Sequence, residues 1–238
     1  MSVTARIFAV LVALFAPASV YAADCVILLH GLARTARSMS PMEDALASAG
    51  YFVANIDYPS RKYPVEQLAL PAIEAGLAEC ATHHAESVHF VTHSMGGILV
   101  RYYLLDHEVA ALGRVVMLAP PNQGSQVVDN LKNVPGFDFV NGPAGLQLGT
   151  DARALPARLG AVSYPVGIIA GTESVNPILS QFLPNPDDGK VSLENTKVEG
   201  MSDFVAINAT HPFIMRNKEA VRQTLSFLAI GSFVHASP

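Results

Sequence analysis

Charge is scarce in this sequence. Only 15% of its 238 residues are Asp, Glu, Lys or Arg, and the net charge is −5. Without a basic excess there is no electrostatic footprint for nucleic acid, and the balance is too mild to specify another charged partner. Cysteine is nearly absent, with Cys25 and Cys80 alone. Past the N-terminus no apolar run reaches the length of a membrane span. No internal repeat, low-complexity segment or linker divides the chain. No convincing cluster of oxygen ligands marks a metal site. The paired acids, Glu79 and Glu86 among them, read as solvated surface.

What is abundant is apolar surface. Half of the residues are hydrophobic, enough for one well-buried domain. Part of that share lies at the N-terminus, where Arg6 precedes an apolar run from Ile7 to Phe15 and Val20-Tyr21-Ala22 follows. A charged start, a short apolar core and small residues at an A-x-A-like site predict a signal peptide over 1–22. The run is too short for an anchor. The expected mature chain, 23–238, is exported to the periplasm or the medium.

Strand and helix patterns alternate along it. Cys25–Leu29 is a continuous apolar run, the mark of a strand buried on both faces. Pro41–Ala49 reads as a helix with Ser40 as N-cap and Gly50 as its stop. Strands are expected at Tyr51–Ile56, Val88–Thr92, Arg114–Leu118, Val166–Ala170 and Phe204–Ile207, with helices at Val65–Cys80, Ile98–Leu105 and Phe213–Leu228. This rhythm implies βαβ units and a mostly parallel sheet. It breaks over 120–165, which is too long for a plain loop. That stretch reads as an inserted cap or lid of short helices over the active site, with a surface excursion of no role as the alternative. Val127, Val128, Leu131, Phe137, Phe139, Leu146 and Leu148 argue against full disorder.

The stretch around which the rest is organised is Val88–Gly97, VHFVTHSMGG. An apolar strand ends at Thr92-His93-Ser94-Met95-Gly96, close to the G-x-S-x-G turn that lifts a strained serine above a strand end and onto a helix N-terminus. Thr92 stands where the first glycine usually does. A serine hydroxyl needs a general base, and the base needs an orienting acid. Of the eight histidines, His211 alone combines a loop after a strand with a position late in the chain. His30 reads as a structural hydrogen-bonder in its His-Gly turn, and His93 sits inside the elbow without facing Ser94. His83, His84 and His89 lie at the opposite end of the sheet, His107 at a polar helix end, and His235 in a loose tail. Asp187 and Asp188 are the acids in the right order, with Glu173 a weaker alternative. An oxyanion hole needs two backbone N–H groups, that of Met95 and one from the loop His30-Gly31-Leu32, for which Leu32 is the candidate.

Together, ILLHGLART, VTHSMGG, APPNQGS, DDGKVS and ATHPF resemble a bacterial lipase or esterase of the α/β-hydrolase superfamily, along nearly the whole mature chain. The resemblance implies an α/β-hydrolase fold with about six strands flanked by helices, and no organic cofactor. It favours Asp188, because Asp188-Gly189-Lys190-Val191 matches the Asp-Gly-x-Val acid loop that precedes the histidine, here by 211 − 188 = 23 residues. Related lipases carry Ala or Thr at the Thr92 position. The strand order of such proteins also lays the helix ending at Cys80 across the strand starting at Cys25. With export to an oxidising compartment, this predicts a Cys25–Cys80 disulfide at the end of the sheet away from Ser94.

The expected activity is hydrolysis of carboxylic esters, lipid esters foremost, with transient lipid-surface contact through the lid. A short-chain esterase or an acyltransferase is the alternative within enzymes. A non-catalytic hydrolase-like binding protein is the alternative outside them.

Overall fold

The structure is a computed structural model that describes residues 24–235. The expected signal peptide, 1–22, lies outside the described residues. Six strands build one sheet: β1 (Cys25–Leu29), β2 (Phe52–Ile56), β3 (Val88–His93), β4 (Leu112–Leu118), β5 (Val166–Gly171) and β6 (Asp203–Ile207). Their spatial order is β2-β1-β3-β4-β5-β6, and every neighbouring pair is parallel.

The continuous apolar runs become strands covered on both sides. Every residue of β1 and β3 is buried. Alternation along β1 sends Cys25, Ile27 and Leu29 into one layer and Val26 and Leu28 into the other. The first layer holds α2 (Val65–Thr82) and α3 (Met95–Asp106), which contribute Leu68, Ile73, Ile98 and Leu99. The second holds α1 (Ser40–Ser48) and the C-terminal helix Lys218–Ile230, which contribute Met42, Leu46, Phe227 and Leu228.

The strand order explains where a site can form. Beyond β1 the chain crosses to β2 on one side, and beyond β3 it crosses to β4 on the other. The loops leaving β1 and β3 therefore diverge at the C-terminal ends of the strands and leave a crevice between them. The opposite end is stapled. Cys25 and Cys80 form a disulfide with Cα atoms 5.6 Å apart across a sequence separation of 55. A closed loop of that size stabilises by about 2–4 kcal/mol.

Between β4 and β5 the chain forms α4 (Gln126–Leu131), α5 (Phe137–Leu146) and α6 (Leu155–Arg158). Its base is anchored by a residue the sequence did not single out. Arg101 of α3 is buried, and it donates to the backbone O and Oδ1 of Asn122 (2.9 and 3.1 Å) and to the Gly160 carbonyl (2.6 Å). Burial pulls its guanidinium down to about 10. Within α5 the helical path kinks at Gly142, whose φ of 64° and close approach to the Arg61 carbonyl leave no room for a side chain. Two short helices, α7 (Pro177–Ser180) and α8 (Leu193–Thr196), follow β5.

Three local expectations are corrected. Ser40 is the first residue of α1 rather than its cap, because a 3₁₀ turn over Ala36–Met39 feeds directly into the helix. The single helix expected over Phe213–Leu228 is two. A 3₁₀ turn, His211–Arg216, stops at Asn217, whose side chain accepts from the amides of Glu219 and Ala220 and starts α9 (Lys218–Ile230) anew. His235 is tied down, with Nε2 2.9 Å from the Asp203 carboxylate.

Candidate active site

The site is built where five strands end. Ser94 follows β3 with φ 54° and ψ −122°, a conformation costly for any residue but glycine. The turn survives because its neighbours give way. A Cβ on Gly96 would lie 2.6 Å from the Leu29 carbonyl oxygen, so only glycine lets the helix start this close to β1. On the other side, a Cβ on Gly31 would lie 2.8 Å from His93 Nδ1 and 3.2 Å from Ser94 Cβ. The loop after β1 is thereby brought against the serine. Thr92 fits inside the same turn, fully buried.

The acid loop after β5 and the loop after β6 reach Ser94 together. His211 Nε2 lies 3.0 Å from Ser94 Oγ, and His211 Nδ1 lies 2.7 Å from Asp188 Oδ2. An ionised carboxylate only accepts, so Nδ1 carries the proton and Nε2 is left to accept from the hydroxyl. Asp188 is fully buried, and its other oxygen accepts from the amides of Lys190 (3.0 Å) and Val191 (2.8 Å). The two loops are also joined by their backbones, through His211 N–H to the Asp188 carbonyl. Asp187 faces elsewhere, accepting from Ser180 Oγ and the Gly189 amide. Glu173 is exposed, with only its backbone N–H engaged, by Ala209.

Met95 is the first residue of α3, so its N–H has no intrahelical partner. Among the described residues neither it nor the Leu32 N–H donates to any acceptor. The Met95 donor follows Ser94 at the N-terminus of α3, where negative charge is favoured, and Leu32 lines the same cavity as Ser94.

The remaining histidines sort by geometry. His30 is buried, bonded to the Gly31 carbonyl, stacked on Tyr58 at 4.0 Å, and reached at its own carbonyl by the Tyr58 hydroxyl. Burial holds its imidazole below the usual histidine range. His89 lies in the first half of β3, accepting from the Arg114 amide, and is lowered by burial as well. His93 closes β3 and donates Nε2–H to the His211 carbonyl, 3.0 Å away. Burial first, and the charge of His211 second, hold it well below its usual range. Its contact with the backbone of His211 was not foreseen. No spacing signals it, because the two residues are 118 apart in sequence.

Ser94, Asp188 and His211 open into a cavity of about 380 Å³. Most of its wall is apolar, including Leu32, Val127, Phe137, Val140, Leu148 and Val191. Two cations, Arg34 and Lys190, also line it. Among the described residues no group of three or more His, Cys, Asp and Glu could hold a metal ion.

A parallel sheet wrapped by helices, with a strained serine at the end of a central strand, defines a class. The chain belongs to the alpha/beta hydrolase family, whose profile matches residues 26–220. No curated protein matches it in sequence. Solved structures similar in fold include a Bacillus licheniformis lipase, BlEst2, with a TM-score of 0.68 and 19% identity over 90% of this chain and 93% of that one. The phospholipase PlaB of Legionella pneumophila matches at 0.61 and 18%, over 87% of this chain and 58% of its own. A monoacylglycerol lipase of Paleococcus ferrophilus matches at 0.56 and 17%, over 89% and 97%. The fold and the family support ester hydrolysis as the general activity.

Proposed function

We propose that this protein is an exported serine hydrolase that cleaves lipid esters through an acyl-enzyme. The observation that carries the reading is the unbroken chain Asp188–His211–Ser94, ending on a strained serine in an apolar cavity. Ser94 Oγ attacks the ester carbonyl carbon while its proton passes to His211 Nε2. Asp188 keeps the histidine in the required tautomer and offsets the charge it gains. The N–H groups of Leu32 and Met95 receive the oxyanion. Collapse of the tetrahedral species expels the alcohol, which takes the proton from Nε2. A water deprotonated by the same nitrogen then attacks the acyl carbon, the carboxylic acid leaves, and Ser94 regains its proton.

The lipid assignment rests on the rim. Val140 of the 120–165 excursion and Val175 after β5 line the cavity and are exposed. Phe139, next to Val140 in α5, lines the adjoining groove and is 85% exposed, and Ile178, three residues after Val175, is 69% exposed. Apolar side chains concentrated at the mouth of a site suit a lipid surface. We assign the excursion as a lid that meets it. Export is supported by the N-terminal pattern and by the disulfide, since such bonds persist in oxidising compartments. No helix among the described residues is long and apolar enough to cross a membrane.

A chain-length series of p-nitrophenyl esters, assayed below and above each solubility limit, tests the reading. Turnover should rise once long-chain esters aggregate. A steady preference for acetate or butyrate, with no gain on aggregation, would replace the lipase by a short-chain esterase.

A further inference from the structure

The charges around the cavity mouth are distributed against the balance of the chain. The protein carries a net −5 with only 15 Lys and Arg. Four of these cations nevertheless gather here. Arg34 and Lys190 line the cavity that holds Ser94 and His211, and Arg34 continues into an adjoining groove with Arg61 and Lys62. Among the described residues none of the four forms an ion pair or a side-chain hydrogen bond. The groove's single acid, Asp57, is already engaged, accepting from the Ala36 amide and lying 3.4 Å from His30 Nε2.

Arg34 and Lys190 stand on pinned backbone. Lys190 donates its N–H to Asp188 Oδ1 (3.0 Å), and its carbonyl accepts from Ser125 Oγ (2.6 Å). Arg34 N–H donates to the Gly31 carbonyl, and the preceding Ala33 N–H donates to Ser60 Oγ. Each cation sits two residues beyond a member of the proposed machinery, Lys190 after Asp188 and Arg34 after Leu32. Partial burial of its side chain presses the Lys190 ammonium below the usual lysine range. Asp188 pulls it up, and the nearby Arg34 presses it further down. Two like charges line one cavity on pinned backbone, and the one carboxylate there, Asp188, is already bonded to His211 and to two loop amides, which leaves an anion on the substrate as the group that would neutralise both cations.

We infer that Arg34 and Lys190 are specificity-determining residues that bind a phosphate group on the substrate, so that the preferred ester is a phosphate-bearing acylglycerol whose acyl chain fills the apolar cavity. This rests on the ester-hydrolase reading above and narrows its substrate class. Arg34 offers the forked donors that match phosphate oxygens, and Lys190 adds a point charge in the same cavity. Arg61 and Lys62 extend the positive field along the groove through which the charged end would enter.

The test compares two dissolved esters that differ in one group, 1-hexanoylglycerol and 1-hexanoylglycerol 3-phosphate, both below their aggregation limits. The wild type should show kcat/KM about tenfold or more higher for the phosphate ester, with the gain mostly in KM and shrinking as salt is raised. Arg34→Gln and Lys190→Gln should each reduce the ratio of the two kcat/KM values, and the double variant should bring it near one. Equal turnover of the two esters by the wild type would overturn the inference and leave the hydrolase reading standing. So would a preference that persists in the folded double variant. A preference seen only on anionic vesicles, and absent with dissolved substrates, would assign the cations to a membrane surface and overturn substrate recognition. Turnover of neither ester would overturn both readings.

Discussion

Asp187 and Asp188 are neighbours in sequence and opposites in environment. Asp188 Oδ2 holds His211 while its second oxygen is saturated by two loop amides. Asp187 ties Ser180 to the Gly189 turn. Replacing Asp188 by Asn presents an amide where Nδ1–H needs an acceptor and favours the wrong tautomer, so kcat should fall by about 10³–10⁴ with KM little changed. Asp187→Asn keeps an acceptor in its turn and should retain most activity. Steady-state kinetics of the two purified variants checks this, and the larger loss at Asp187 would reverse the assignment. Ser94, His211 and Asp188 were legible because each stands in a short local pattern: an elbow, a loop after a strand, and an Asp-Gly-x-Val run. Arg34 and Lys190 were not: Lys190 is the unspecified residue of the Asp-Gly-x-Val run, Arg34 lies in the loop after the first strand, and the two acquire meaning only when those loops line one cavity. Arg101 and His93 stayed hidden for a related reason. A buried arginine in a helix and a histidine beside a serine have partners far away in sequence, which local spacing does not encode.

At the scale of elements, the strands were the clearest signal. Burial on both faces demands unbroken apolar runs, and β1 coincides with CVILL residue for residue. Helix ends were less legible, since a side chain decides them in competition with its neighbours. Asn217 captures two amides and splits one expected helix, while Ser40 is overtaken by a preceding 3₁₀ turn. The excursion between β4 and β5 was legible as an insertion, but its internal structure was not. Its base is fixed by Arg101 from outside, and its kink depends on Gly142 meeting the Arg61 carbonyl. Beyond that anchored base, α5 turns apolar side chains to solvent. If they serve a lid, Phe139→Ser combined with Val140→Ser should lower the ratio of aggregated long-chain to dissolved short-chain ester turnover severalfold. An unchanged ratio in the folded variant would leave α5 a surface excursion.

At the scale of the whole molecule, three buried imidazoles make stability depend on acidity. His30, His89 and His93 are each held below the usual histidine range, first of all by burial. The unfolded chain takes up their protons below about pH 6.5, where the folded chain does not, so stability must fall as pH drops from there toward the lowered folded values. The slope is at most about 1.4 kcal/mol per pH unit for each histidine. Denaturant titrations at pH 7.5 and 5.5 should show this loss, reduced in His89→Gln, whereas a flat profile would mean that the imidazoles are protonated in the native state. The fold and the convergence of loops from β3, β5 and β6 place one hydroxyl beside one imidazole, and that juxtaposition is the central claim. Labelling with a fluorophosphonate, followed by peptide mass spectrometry, tests it most directly. The account predicts one phosphonyl group per molecule, on Ser94, with labelling abolished in Ser94→Ala and strongly slowed in a folded His211→Ala variant. A native protein that does not react, or that reacts at another residue, would contradict it.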